Sequence, residues 1–385
     1  MKLDARKAKV FLDDVGNIVK TDKHGMLKLI GALPDEMATL LQRPMPKLHG
    51  LEGHTNIVFS GMGGSGIVGD IIRSWLGPKA GIPFFVNRGY DIPPFVGHGT
   101  LFLAVSFSGN TAESLSSFDR ALAKGCTVVA LSSGGKLEKR AKEEGVPFIR
   151  LEAPAGTAPR AALGHMLVPL AQVLEVAGLV KARSELEEAV AVLRYLRGRI
   201  GPHVPSKYNE SKQAAISVLG FIPVIHSYGI LEVAARRWKG QFNENAKVLA
   251  WADYLPEMDH NSLVGWNADK ASKGHACVLL RDAPSEAEDP RMTERIEATK
   301  ELAWSHSSNI VEVFSEGAGP LSRIISTIYK GDYASVYLAV LRGVDPLPVH
   351  AIEILKKRLG RGPGSKKGKA HNGQIKNART WGAYI

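Results

Sequence analysis

The chain has 385 residues, a net charge of +11 and a hydrophobic content of 44%. Its length predicts two domains, and its apolar runs are shorter than the roughly 20 residues that span a bilayer. No apolar signal-peptide core follows the charged first residues, so we expect a cytoplasmic protein. Cys126 and Cys277 lie far apart in apolar surroundings, which favours small buried side chains over a disulfide or a metal pair.

The basic residues are concentrated at the end of the chain. Residues 361–385 contain six Lys or Arg and no acid, which accounts for just over half of the excess charge. A charged run with Gly and Ser is typical of a solvated, flexible tail. The rest of the chain is only mildly basic, and we do not expect nucleic acid as a partner.

The first half of the chain begins with a helical segment, residues 1–45, and then alternates between strands and helices. This alternation predicts βαβ units and a parallel sheet with helices on both faces. The predicted strands are 56–59, 83–87, 101–105, 127–131 and 147–151, and the predicted helices between them are 68–76, 112–124 and 137–144.

The second half repeats the pattern less regularly after a long helical stretch. That stretch runs from residue 161 to about 199, and the Gly-Pro-His-Val-Pro sequence at 201–205 predicts a domain linker. We therefore expect an α/β protein with two similar domains, 46–200 and 201–360, each a mainly parallel sheet flanked by helices. Further predicted elements are the strands 221–226, 276–280 and 310–314 and the helices 230–239 and 321–342.

A glycine-rich stretch, Gly61–Gly69, follows the first predicted strand. Such a turn exposes backbone N–H groups at the positive end of a helix, which suits a phosphate. The next strand ends in Asn87-Arg88 without a ribose-binding acid, and no P-loop lysine is present, so a dinucleotide or a nucleoside triphosphate is not indicated. Taken alone, the stretch also fits a tight turn with close helix packing.

A second loop strengthens the case for an anion. Ser106, Ser108 and Thr111 follow another predicted strand and surround a glycine. A helix cap needs one hydroxyl, whereas three at this spacing predict an oxyanion ligand. Because neither loop contains lysine, we expect a monophosphate such as a sugar phosphate rather than a nucleoside triphosphate with its Mg²⁺.

The two loops resemble those of the sugar isomerase (SIS) domain. Four further segments, 158–164, 238–247, 256–261 and 343–346, resemble the bifunctional phosphoglucose/phosphomannose isomerase family in the same order. The resemblance runs from about residue 40 to residue 360. It implies two tandem SIS domains and the isomerisation of glucose 6-phosphate, and of mannose 6-phosphate, to fructose 6-phosphate through an enediol. It also implies a homodimer that needs neither a metal nor a cofactor.

The resemblance also implies a role for individual residues. Glu244 corresponds to the base that moves the proton between C2 and C1, and Arg160 to the cation that stabilises the enediolate. His260 corresponds to the ring-opening histidine, which reaches the active site of the neighbouring subunit. The implied substrate-binding residues are Gly64, Ser65, Ser106, Ser108, Thr111 and Arg160.

The resemblance further implies a ring-opening lysine near the C-terminus. Lys356 is our choice, and Lys357 is the alternative. We expect Ile352, Leu355 and Leu359 to form a buried stripe beside it.

Two other functions remain open from the sequence. A noncatalytic SIS-domain sensor of sugar phosphates would need the loops but not the base, and Glu244, His260 and Arg160 favour an enzyme over it. The other is a different sugar-phosphate isomerase on the same fold, acting on an aminosugar or a heptose.

Overall fold

The structure is a computed structural model that describes residues 4–154, 156–268, 272–282, 288–307 and 309–359. The chain divides into two compact units, a first that ends at Leu347 and a second that begins at Pro348. The predicted basic tail, 361–385, lies outside the described residues. No helix in the described part of the chain is long and apolar enough to cross a membrane.

The helices are α1 (Ala5–Asp13), α2 (Val15–Thr21), α3 (Met26–Gly31), α4 (Leu33–Leu41), α5 (Gly63–Leu76), α6 (Ala112–Ala123), α7 (Gly135–Glu143), α8 (Leu163–Val176), α9 (Ala182–Ile200), α10 (Glu210–Ser217), α11 (Glu232–Glu244), α12 (Ser262–Trp266), α13 (Pro290–Leu302), α14 (Pro320–Leu341) and α15 (His350–Leu359). The strands are β1 (Asn56–Ser60), β2 (Phe84–Asn87), β3 (Thr100–Val105), β4 (Thr127–Ser132), β5 (Phe148–Arg150), β6 (Ile222–Ser227), β7 (Trp251–Tyr254), β8 (His275–Arg281) and β9 (Asn309–Phe314).

The first sheet has five parallel strands in the order β2-β1-β3-β4-β5. Alternate residues of its central strand face opposite layers, as the period of a strand requires. Leu101 and Leu103 belong to a large interior core, while Phe102 and Ala104 pack in a separate layer with α6 and α7. Both faces of the sheet are therefore covered, as is typical of parallel sheets.

The second sheet has four parallel strands in the order β7-β6-β8-β9. One face contributes Ile225 and Val278 to the same interior core that covers the first sheet. Its other face packs Val224 and Leu279 against α13 and Trp304. The two sheets thus share one continuous core, which places them in a single compact unit.

Helix α14 lies inside that shared core. All residues from Leu321 to Leu341 except Arg323 are buried. The helix packs against α9, α10 and α11 and against the N-terminal helices α1–α3. A helix buried on every side belongs to the interior of the protein, and its charged side chains are paired there, Lys330 with Glu316 at 2.8 Å and Asp332 with Arg237 at 2.6 Å. The N-terminal helices, which precede the first sheet, are in this way packed onto a helix that follows the second.

Most predicted elements are present, and the differences concern weakly patterned segments. Strand β7 and helix α13 were not predicted, because β7 is a partly exposed edge strand and α13 buries only Ile296 and Thr299. Helix α11 extends to Glu244, five residues beyond its predicted end. The predicted domain boundaries stay a prediction.

Candidate active site

The glycine-rich stretch forms the first turn of α5, which begins at Gly63, five residues earlier than predicted. No side chain caps this end, so the first-turn N–H groups of Gly63 and Gly64 point past the carboxyl end of β1. The Ser65 hydroxyl accepts a hydrogen bond of 3.1 Å from the Phe107 N–H. This bond joins the first loop to the second.

The second loop brings the three predicted hydroxyls to the start of α6. Ser106 is buried and donates a 3.0 Å hydrogen bond to the Thr111 hydroxyl. Ser108 is exposed, and its hydroxyl accepts a bond of 3.3 Å from the Asn110 N–H. Thr111 stands at the N-cap of α6 without a side-chain capping bond. Two uncapped helix ends with hydroxyls between them suit an anion.

A third loop, after β4, supports the second and was not predicted. The Ser133 N–H and hydroxyl donate to the Phe107 carbonyl at 2.9 and 2.6 Å. Gly109 lies so close to it that a Cβ there would be 1.8 Å from the Gly134 carbonyl oxygen. Glycine is required at residue 109 for this approach and for its φ of +67°. The sequence signal was the Ser-Ser-Gly-Gly run at 132–135.

Arg160 connects the two loops that are predicted to bind phosphate, after β1 and after β3, to the second half of the chain. It lies in the 3-10 turn Pro159–Ala161, and a Cβ on Gly64 would be 2.8 Å from the Pro159 carbonyl carbon. Its guanidinium reaches the other way, where Nη1 is 3.6 Å from Glu244 Oε2. Glu244 is the last residue of α11, and its side chain is 34% exposed, against 6% for Arg160. The base and the cation predicted from the sequence therefore form a pair beside the phosphate loops.

A buried polar network on α11 and α14 holds Arg160 in place. Arg237 donates to both carboxylate oxygens of Asp332, the shortest bond being 2.6 Å, and to the Arg160 carbonyl oxygen at 2.9 Å. Asn245 Oδ1 accepts from Arg160 Nε at 2.8 Å, and its Nδ2 donates to the Ser335 hydroxyl. Burial lowers the pKa of Arg160 and the nearby Arg237 lowers it further, while Glu244 and Asp332 oppose this. Both the backbone and the side chain of Arg160 are thus fixed.

Comparisons with known proteins decide the family. The model of the bacterial phospho-glucose isomerase C-terminal SIS domain matches residues 207–359, and that of the SIS domain matches residues 51–143. The bifunctional phosphoglucose/phosphomannose isomerase of Caldicellulosiruptor bescii is 39% identical, over 79% of this chain and 89% of its own length. That of Aquifex aeolicus is 37% identical, over 80% and 92%. The chain belongs to the bifunctional phosphoglucose/phosphomannose isomerase family.

Solved structures confirm the predicted fold of two tandem SIS domains. The crystal structure of a glucose-6-phosphate isomerase-like protein from Thermus thermophilus matches with a TM-score of 0.58. The match covers 88% of this chain and 98% of that chain at 22% sequence identity. This chain therefore shares its fold with a protein that is distant from it in sequence.

His260, which the family resemblance implies as a ring-opening residue, has no contact with the Arg160–Glu244 pair among those that the structure describes. His260 ends the 3-10 turn Glu257–His260 after edge strand β7, is exposed, and has no hydrogen-bond partner among the described residues. The turn is held against α13, because Asp259 accepts from Arg295 at 2.9 Å and from Thr299 at 3.1 Å. His260 is thus presented to solvent on a fixed turn.

Lys356 lies on α15, in the second compact unit, and is exposed. The side chain of Lys357 is outside what the structure describes. The expected buried stripe is wrong for the single chain, since Ile352, Leu355 and Leu359 are 39%, 56% and 68% exposed. These three side chains are therefore exposed among the described residues, although their spacing is that of one helix face.

Proposed function

We propose that this chain is an aldose–ketose isomerase that interconverts glucose 6-phosphate and mannose 6-phosphate with fructose 6-phosphate. The observation that carries the proposal is the position of Arg160, whose backbone abuts Gly64 of the phosphate loop and whose guanidinium faces Glu244. Membership of the family supports the substrate class, since its members are named for both sugar phosphates.

The phosphate of the sugar binds where α5 and α6 begin. The amide of Gly64 and the hydroxyls of Ser65, Ser106, Ser108 and Thr111 hold its oxygens. The absence of side-chain caps on both helices supports this, because the first-turn N–H groups are left for a ligand. These contacts are equal in the ground state and the transition state, so they set KM more than kcat.

Glu244 moves the proton. Its carboxylate takes the proton from C2 of the open-chain aldose and returns it at C1, while the Arg160 guanidinium stabilises the negative charge on the enediolate oxygen. C2 is planar in the enediol, so glucose and mannose phosphates pass through the same intermediate. The ion-pair distance of 3.6 Å leaves Arg160 Nη1 free to hydrogen-bond a substrate oxygen.

Ring opening is assigned to His260 of a neighbouring copy and to Lys356, with Lys357 as the alternative. The exposed position of His260 on a fixed turn supports a role outside its own subunit. A homodimer with shared sites and a cytoplasmic location, where sugar phosphates occur, belong to the same proposal.

A coupled assay on the purified protein with fructose 6-phosphate tests the function. We expect both glucose 6-phosphate and mannose 6-phosphate to form, each detected by its own coupling enzyme. Formation of one alone would refute dual specificity. Binding of fructose 6-phosphate without either product would favour the noncatalytic sensor.

A further inference from the structure

Lys247 follows the end of α11 in a backbone conformation that L-residues rarely adopt. Its φ of +53° is the single positive value for a non-glycine residue in the described ranges. A side chain in this region is disfavoured by about 1–2 kcal/mol. Such a residue persists only where its surroundings hold it, and this strain is found preferentially at functional sites.

The side chain of Lys247 is held by three carbonyl oxygens. Its Nζ donates to Asn245 at 3.1 Å, to Asp345 at 2.6 Å and to Pro346 at 2.8 Å. An ammonium has three donors and no acceptor, so these bonds use all of its hydrogens. Lys247 therefore binds Asp345 and Pro346 of the segment 345–347, which we call the connector, rather than presenting a free group to substrate.

The same connector orients Arg160. Arg160 Nη2 donates to the carbonyl oxygens of Pro346 at 3.0 Å and Leu347 at 2.7 Å. With Nε bound to Asn245, these bonds leave Nη1 facing Glu244. A guanidinium is planar and rigid, so the acceptors on one side fix where its remaining nitrogen points.

Lys247 also stands in a charged environment. Burial of the amine and the positive charge of Arg160 lower its pKa to about 8, although Asp345 and Glu244 act in the opposite direction. The other charged groups at this turn are Arg342, which donates to the Lys247 carbonyl, and His24, whose Nδ1 is 2.6 Å from Asp345 Oδ2. Above pH 8 the neutral amine keeps only two donors for three carbonyls.

We propose that Lys247 is a positioning residue for the isomerase reaction, which holds the connector so that its carbonyl oxygens aim the Arg160 guanidinium at Glu244. The inference rests on the proposed function, in which Arg160 and Glu244 act on the sugar. Lys247 acts through Arg160 and does not touch the substrate.

The test compares Lys247→Met with wild type and with Lys239→Met, a control lysine on α11. We expect Lys247→Met to lower kcat about tenfold or more, since a misplacement of 1 Å can reduce rate a hundredfold. KM for fructose 6-phosphate should stay within about twofold, because the phosphate loops are unchanged. The midpoint temperature of thermal unfolding is measured first for each variant, so that kcat is compared between folded proteins.

The pH profile separates positioning from packing. Wild-type kcat should fall as pH rises through about 8, where Lys247 loses its proton. Lys247→Arg stays charged, so it should recover part of the kcat lost in Lys247→Met and keep it above pH 8. A wild-type kcat that is flat from pH 7 to pH 9.5 would overturn the proposal even if a variant fails to fold. So would a fall near pH 8 that persists in Lys247→Met.

Glu244→Gln, assayed in parallel, separates a failure of the proposed site from a failure of the proposed role of Lys247. Full turnover by Glu244→Gln would remove the proposed site itself. Loss of turnover there, with unchanged kcat in Lys247→Met, would overturn only the role of Lys247.

Discussion

At the scale of single residues, Glu244 is a partly exposed carboxylate, and a buried guanidinium lies 3.6 Å from it. Glu244→Gln keeps the size of the side chain but cannot accept a proton. We expect kcat to fall about a hundredfold or more, the range for loss of a general base, while KM changes little. Steady-state kinetics with fructose 6-phosphate measures both, with the exposed Glu187→Gln as control. A Gln variant with near wild-type turnover would remove Glu244 from the mechanism.

The sequence predicted Glu244 and Arg160 as site residues, but it did not predict what holds them. Both residues lie in motifs whose order along the chain indicates the family. The network of Arg237, Asp332 and Asn245 joins residues 77 to 95 positions apart in sequence. Bonds over such separations depend on which helix faces pack together, and a local pattern does not contain that information.

At the scale of elements, the approach of α5 to the Arg160 turn allows no side chain at Gly64. A Cβ there would be 2.8–3.0 Å from backbone atoms of Pro159 and Arg160, so one of the two segments must shift. We expect Gly64→Ala to lower kcat/KM about tenfold or more, since both the phosphate loop and Arg160 are displaced. Gly240→Ala is the matched control, because nothing lies within 4 Å of the Cβ it would add in α11. Equal kinetics for the two alanine variants would contradict the close approach.

Strand β6 places a histidine in the core of the second sheet. His226 is fully buried with its ring centroid 4.7 Å from that of Trp304, and neither ring nitrogen has a partner among the described residues. Burial lowers the pKa of His226 to about 3. The unfolded chain therefore binds a proton near pH 6.5 that the folded chain excludes. The stability that His226 contributes is complete above about pH 6.5 and is lost as pH falls towards 3.

His226→Phe should remove this acid sensitivity. In wild type, His226 should lower the free energy of unfolding by about 2 kcal/mol between pH 7 and pH 5. Between the same two pH values, the free energy of unfolding of the Phe variant should fall by about 2 kcal/mol less than that of wild type, as measured by urea unfolding at both pH values. Exposed His203→Phe serves as the control and should behave like wild type. A His226→Phe protein with the wild-type pH dependence would show that this histidine does not titrate on unfolding.

Elements were predicted where a hydrophobic period was strong and were missed where tertiary contacts supply the stability. The buried run of β3 and the apolar α14 were readable from sequence alone. Edge strand β7 is half exposed, and α13 contributes few buried side chains, so neither has a clear period.

At the scale of the whole molecule, the continuous core between the two sheets places the predicted phosphate loops of the first sheet beside Arg160, which faces Glu244. The resemblance to the family predicted the tandem domains. It did not predict how α14 packs with both halves and with the N-terminal helices, since the chain segments involved are far apart in sequence. The shared core brings Arg160 and Glu244 together, whereas His260 lies on an exposed turn outside that pair.

Subunit mixing tests whether His260 completes the site of a second copy. His260→Ala and Glu244→Gln should each be nearly inactive as pure proteins. In a mixed dimer, one site combines both substitutions, while the other has Glu244 from one chain and His260 from its partner and is intact. Random exchange at equal amounts makes half of the dimers mixed, so we expect about a quarter of wild-type activity to return. The subunits are exchanged by unfolding and refolding the two variants together. As a control, each variant is taken through the same procedure alone. If activity does not return although mixed dimers are shown to form, His260 does not act across the interface.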